Sequence, residues 1–148
     1  MENDDIIIKK FNELSNTELY DILKLRSEIF VVEQQCIYQD IDNIDKDSIH
    51  VFLVKDGKIQ SYLRVFSKDE KTAQIGRVVT AKDCRRKGYS SLLLQKGIDI
   101  SKNILKKERI YLESQTYAAN LYKKHGFEII SKEFILDGIP HVEMERKI

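Results

Sequence analysis

One stretch in the middle of the chain restricts its fold more than any other. Residues 73–80 alternate as a strand, and a helical pattern starting near Gly88 carries Leu92, Leu93, Leu94, Ile98, Ile104 and Leu105. Residues 109–113 then read as a strand again. A connection of that length through a helix makes its two strands parallel, with a right-handed crossover. Upstream, residues 50–54 and 59–67 flank Asp56-Gly57, a hairpin signal, and the 73–80 strand follows after a charged turn. An antiparallel meander that feeds a strand–helix–strand unit requires a mixed sheet.

The remaining segments complete the order. Residues 6–11 read as a first strand. Ser15-Asn16-Thr17-Glu18 is a capping box, and Leu19, Ile22, Leu23, Arg26, Ile29 and Phe30 follow at helical spacing. Residues 35–48 read as a polar loop. Residues 118–125 form a third helix closed by Gly126, a stop that favours a left-handed glycine. Residues 128–136 and 140–146 are two strands joined at Asp137-Gly138. The order is β-α-β-β-β-α-β-α-β-β. The expected class is α/β (α+β), with a mixed, mostly antiparallel central sheet flanked by helices. A chain of 148 residues without repeat or linker is expected to be one domain, residues 1–148.

Composition removes several classes of function. The 25 basic and 24 acidic residues leave a net charge of +1, too balanced for a chain that coats nucleic acid. No apolar run exceeds four residues, so no transmembrane segment is expected. The acidic start Met1-Glu2-Asn3-Asp4-Asp5 is unlike a secretory signal. Cys36 and Cys84 lie far apart, with no zinc-like spacing, and read as reduced thiols of a cytoplasmic protein. The run from Gln39 to Asp47 has the early rhythm of a calcium loop, but it lacks the turn glycine and the terminal glutamate. It reads as a solvated loop, or as an acidic lip for a cationic amine; no metal is expected.

Two motifs carry chemistry. In Arg77-Val78-Val79-Thr80-Ala81-Lys82-Asp83-Cys84-Arg85-Arg86-Lys87-Gly88-Tyr89-Ser90 a strand runs into a basic loop, and a helix opens at a glycine. The first turn of a helix leaves backbone amides unpaired and bears partial positive charge, so a pyrophosphate fits there. Neither the GxxxxGK[ST] nor the GxGxxG pattern is present. Further on, Asn120-Leu121-Tyr122-Lys123-Lys124-His125-Gly126-Phe127 closes the third helix.

Together these motifs resemble the GNAT N-acetyltransferase superfamily. Its phosphate loop Arg/Gln-x-x-Gly-x-Gly/Ala is matched by Arg85, Gly88 and Ser90, and its Tyr-x-x-x-Gly-Phe by Tyr122, Gly126 and Phe127. Leu25-Arg26, Phe30 to Gln34, Arg77-Val78-Val79, Gly138 to His141 and Met144 are similar to the ElaA-like branch. Ser90 departs from the usual glycine or alanine, and Lys82 from a common proline. The resemblance implies acetyl-CoA as co-substrate and a small-molecule or peptide amine as acceptor, with a homodimer as the default assembly. It places the pyrophosphate on Arg85, Arg86, Lys87, Gly88, Tyr89 and Ser90. It sets the pantetheine arm along the backbone of Val78, Val79 and Thr80, with the Val79 amide polarising the thioester, and gives Asn120 a contact to the arm. Tyr122 is expected to protonate the departing thiolate, because a phenol stays protonated at neutral pH.

The attacking amine must lose a proton, and Glu33, Glu113 and His141 are the candidate bases or water anchors. Glu33 follows the apolar Phe30-Val31-Val32 and could be partly buried; Glu113 ends a strand; His141 follows Pro140 and belongs to the residue type that most often titrates near neutrality. His50 and His125 read as structural. Arg26, on the apolar face of the first helix, pairs with a buried carboxylate or shapes the acceptor pocket. Two other readings stay open: an acyltransferase like the acyl-homoserine-lactone synthases, and a CoA-binding module without turnover.

Overall fold

The computed structural model describes residues 5–148. Its elements are β1 (Asp5–Lys10), α1 (Asn16–Arg26), β2 (Ile49–Lys55), β3 (Lys58–Ser67), β4 (Thr72–Thr80), α2 (Tyr89–Asn103), β5 (Arg109–Gln115), α3 (Ala119–Lys123), β6 (Glu128–Ile129), β7 (Phe134–Leu136) and β8 (Ile139–Lys147). The sheet order is β1-β2-β3-β4-β5-β8-β6, with β7 also paired to β8. Every pairing is antiparallel except β4 with β5, so the mixed sheet expected from the order of segments is present.

The helices divide between the two faces. Leu93, Leu94 and Ile98 of α2 bury against Val51, Leu63, Val65, Ile75 and Ile110. Gly97 allows this approach, because a Cβ there would meet Ile75 Cδ1 at 3.0 Å. On the opposite face Ile22, Leu25 and Ile29 cover Phe52, Tyr62 and Val79. Alternate residues of one strand serve the two cores, as a two-residue period requires.

The structure changes three boundaries. The first α-helix stops at Arg26 and continues as a π-turn over Ser27–Glu33, with Gln34 N–H donating to Ile29 O at 3.1 Å. The third helix is shorter, entered through a tight turn at Thr116–Ala118. The single strand expected over residues 128–136 is broken into β6 and β7. Between them Ser131 leaves the ladder, and its hydroxyl accepts from the Glu143 amide at 2.9 Å.

The loop of residues 35–48 is neither solvated nor an acidic lip. Asp40 and Asp45 are buried, and three arginines from α1, β3 and β4 hold Asp40, Asp42 and Asp45. Arg26, fully buried, donates from Nε to Asp40 Oδ2 at 3.1 Å and from Nη1 to Asp45 Oδ1 at 2.6 Å. Arg64 reaches both oxygens of Asp42 at 2.8 and 2.7 Å. Arg77 reaches Asp40 Oδ1 at 2.8 Å and Asp42 Oδ2 at 3.2 Å. Burial opposes the charges, yet the Arg26 hydrogen bond holds the Asp45 carboxyl below its ordinary range, and the Arg64 bond does the same for Asp42. His50 sits beneath them. A carbonyl only accepts, so its Nε2–H donates to Asp45 O at 2.9 Å and its Nδ1 accepts from the Tyr62 hydroxyl at 2.7 Å. Burial lowers the pKa of this imidazole.

Removing one partner of a buried, hydrogen-bonded pair strands the other charge. Arg26→Ala should therefore cost about 3–5 kcal/mol, read from urea unfolding. Depressed folded-state pKa values stabilise the fold above the unfolded-state values and lose that contribution as pH falls. Stability should decline below about pH 6.5 as His50 is forced to charge, and more steeply below about pH 4 as Asp42 and Asp45 protonate. A urea series from pH 7 to 3 measures both limbs; equal stability at pH 7 and 5 would contradict the His50 limb.

Candidate active site

The two parallel strands part almost at once. Only Thr72, Ala73 and Gln74 of β4 pair with β5, opposite Arg109, Ile110 and Tyr111. A bulge in β4 lies just beyond, between the Gly76 and Val79 pairings to β3, and Arg77 there has a φ of 52°. A bulge bends its strand and sharpens the twist. Arg77 is held in this conformation by Asp40. From residue 75 onward β4 has no strand on its β5 side, and a cleft of ≈ 410 Å³ opens between the diverging ends.

The cleft runs through the sheet. Ile75, Leu112, Leu121 and Tyr122 line it from the α2 side, and Gly76, Glu113, Gln115 and His141 from the α1 side. Val78, Val79 and Thr80 line its length, though the Val79 side chain is turned into the α1 core. A second depression of ≈ 220 Å³ adjoins it, formed by Thr80, Cys84 to Arg86 and Gly88 to Ser91. Gly88 opens α2 with a φ of 80° and nothing within 4 Å of where a Cβ would stand, so a ligand can reach this backbone. Arg85, Arg86 and Lys87 are exposed around it. The Tyr89 side chain is instead buried in the core with its hydroxyl 3.2 Å from Lys55 Nζ, which leaves only its backbone for a ligand. Ser90 joins a chain of hydroxyls, with Ser90 Oγ 2.8 Å from Thr80 Oγ1 and that atom 2.9 Å from Ser61 Oγ. Serine at this position thus ties the loop to the end of β4.

Tyr122 is buried beside Phe127, edge to face at 6.1 Å. Burial first, and the nearby Tyr117 second, push its phenol above the ordinary value, so it remains a proton donor at neutral pH. On the other wall, His141 Nδ1–H donates to Ile139 O at 2.7 Å. That bond assigns the tautomer and leaves the Nε2 lone pair without a partner among the described residues. Asn120 is exposed on α3 and does not line the cleft.

Glu33 is exposed rather than partly buried. It accepts from Arg85 Nη2 at 2.6 Å, which commits the carboxylate to the phosphate loop. Its neighbours continue the pattern: Gln34 and Gln115 exchange amide hydrogen bonds at 3.3 and 3.2 Å, and Cys36 Sγ donates to Asp137 O at 3.0 Å. Residues 33–36 therefore form a strap from the π-turn to the phosphate loop, the end of β5 and the β7–β8 turn. Sequence alone pointed to Glu33 singly and missed Gln34 and Gln115, whose partners lie 81 positions apart.

An open cleft through a parted parallel pair, with an anion-binding helix start at one end, defines an acyltransferase that works on an acyl-CoA donor. Residues 15–148 match the family described as Acetyltransferase (GNAT) domain. A UPF0039 protein of Schizosaccharomyces pombe is 40% identical over the full length of both chains. The crystal structure of Escherichia coli ElaA superposes with a TM-score of 0.91 at 31% identity, over 97% of this chain and 99% of that one. An acyl-CoA N-acyltransferase from Pseudomonas aeruginosa superposes with a TM-score of 0.89 at 33% identity, over 96% and 99%. The chain belongs to the GNAT acetyltransferase superfamily, in its ElaA-like branch.

Valine at Gly88 would be held at positive φ, costing about 1–2 kcal/mol, and would cover the amides of the helix start. Gly88→Val should keep the far-ultraviolet circular dichroism of the fold and lose at least about tenfold in acyl-CoA affinity by calorimetric titration, since one lost charge-assisted hydrogen bond is worth about 1.5–3 kcal/mol.

Proposed function

We propose that this protein is an N-acetyltransferase that moves the acetyl group of acetyl-CoA to a primary amine by direct attack, without a covalent enzyme intermediate. The observation that carries the reading is the cleft itself: Tyr122 stands on one wall and the free Nε2 of His141 on the other, with the phosphate loop at the mouth. The residues present suit the donor. Gly88 and the amides after it hold the pyrophosphate with Arg85, Arg86 and Lys87. The unpaired edge of β4 at Val78 to Thr80 takes the pantetheine arm as an added strand. Acetyl-CoA supplies the activated acyl group as a thioester.

The side chains then divide the proton transfers. His141 Nε2 takes a proton from the incoming ammonium, so that the nitrogen lone pair can form the C–N bond. A backbone amide on the unpaired side of β4, Val78 or Thr80 rather than Val79, donates to the developing oxyanion; one such preorganised donor is worth about 3–4 kcal/mol. As the C–S bond breaks, the nitrogen loses its second proton to solvent, Tyr122 gives its proton to the sulfur and regains one from solvent, and His141 releases the proton it took to solvent. Of the three candidate bases His141 fits best, because Glu33 is committed to Arg85 and Glu113 is exposed.

Acetyl-CoA at a hundred times its Kd should add about 2.7 kcal/mol to stability. That corresponds to a rise in Tm of roughly 5–10 °C for a domain of this size. No shift at saturation would overturn the donor assignment. Tyr122→Phe should keep that shift and lower kcat about 10²–10⁴-fold. Because the phenol is held above its ordinary value, the wild type should show no loss of kcat from its ionisation up to about pH 10.

A further inference from the structure

Charges along the cleft are unevenly compensated. Its walls carry Arg64, Arg77, Arg85, Glu33, Asp137 and Glu113. Arg64 and Arg77 are committed to the aspartates of the 35–48 loop, and Arg85 to Glu33. Among the described residues no ion pair involves Glu113 or Asp137. Once the paired groups cancel, the cleft is anionic.

The strand register extends this on the α1 face. Glu113 lies directly opposite Glu143, and Gln115 directly opposite His141. Like charges at facing positions destabilise a sheet, and Glu143 has no ion pair among the described residues either. Tyr111 donates to Glu143 Oε2 at 2.6 Å, which leaves Glu113 without a hydrogen-bond partner among the described residues. The Tyr111 phenol is pushed above its ordinary value by burial, then by this bond, then by the charges of Glu113 and Glu143.

His141 is the independent observation. It is only 9% exposed, it lines the same cleft, and its Nε2 has no partner among the described residues. That Nε2 is not excluded from solvent, so it is accessible from the cleft and open to a donor from a ligand. On this face His141 sits in the pair next to the two glutamates, two residues farther along β5 from the point where the strands part. Two residues along an antiparallel strand span about 7 Å.

We infer that the acceptor is a short aliphatic diamine, its reacting nitrogen at His141 and its second ammonium held between Glu113 and Glu143. This rests on the acetyltransferase reading and adds the substrate class. The nitrogens of a four- or five-carbon diamine in extended form are separated by about the 7 Å that the register sets between the two sites. One amine is deprotonated and acetylated; the other stays charged and satisfies the facing carboxylates. Glu113 and Glu143 are thus specificity residues, not acid–base groups.

The test is a panel of 1-aminobutane, 1,4-diaminobutane, 1,5-diaminopentane and 1,8-diaminooctane with acetyl-CoA, followed by thiol release. The expected result is a kcat/KM for the four- and five-carbon diamines at least tenfold above that of 1-aminobutane, carried by KM and weakened by salt. Glu113→Gln and Glu143→Gln should erase that preference and leave turnover of 1-aminobutane near wild type, which a merely structural role would not do. Equal rates for monoamine and diamines, or variants that slow both alike, would overturn the diamine site. So would acetyl-CoA binding without acetylation of any diamine, and the transferase reading would then still stand. Absence of acetyl-CoA binding would overturn both.

Discussion

Three residue pairs join β4 to β5, and the working surface of the protein exists because there is no fourth. A parallel pair that continued to the ends of both strands would bury its own edge and leave no path through the sheet. Here the bulge at Arg77 turns β4 away while β5 continues along β8. The bulge is not left to the backbone alone. Arg77 is bonded to Asp40 and Asp42, and those carboxylates are also bonded to Arg26 and Arg64. The buried ionic cluster thus holds the strand geometry that opens the cleft, and it links α1, β3 and β4 to one loop.

The same cluster neutralises what would otherwise be a strongly charged wall. Three arginines line the cleft, yet the charges of Arg64 and Arg77 are spent on aspartates from the loop and that of Arg85 on Glu33. Buried ion pairs seldom add much net stability, because desolvation offsets their attraction. What this arrangement supplies is position: a loop with little apolar surface is pinned at three points, and the strap of residues 33–36 leaves it in a set direction. The side chains that face the cleft are held on rigid supports, with His141 oriented by Ile139 O and Tyr122 packed against Phe127.

Much of the architecture was legible in the chain. The capping box at Ser15 is formed, with the Glu18 amide donating to Ser15 Oγ at 3.0 Å. The Asp56-Gly57 hairpin, the crossover into β5 and the glycine opening of α2 also lie where local patterns put them, because turn chemistry and hydrophobic period act over a few residues. The failures share one cause. The loop of residues 35–48 looked solvated because the cations that hold its aspartates are remote in the chain; Arg64 is 19 positions from Asp45 and Arg77 is 37 from Asp40. Glu33 read equally as partly buried or as an exposed helix-end carboxylate; it is exposed, and the π-turn that rotates it toward Arg85 has no strong sequence signal. The strand over residues 128–136 looked continuous because no breaker interrupts it, whereas the hydrogen bond between Ser131 and Glu143 decides where it leaves the ladder.

By itself the sequence determined the order of elements up to α3, the parallel crossover, the glycine opening of α2 and the membership of a superfamily. Each depends on contacts between near neighbours or on short motifs whose backbone requirements are local. Only the tertiary structure decided which carboxylates are free. Aspartates that look alike in the chain are neutralised by arginines, while Glu113 and Glu143 face one another with no ion pair within 4 Å among the described residues, and His141 has no partner for one nitrogen among them. Electrostatic pairing depends on distance in space, and sheet register brings together residues that the chain keeps far apart.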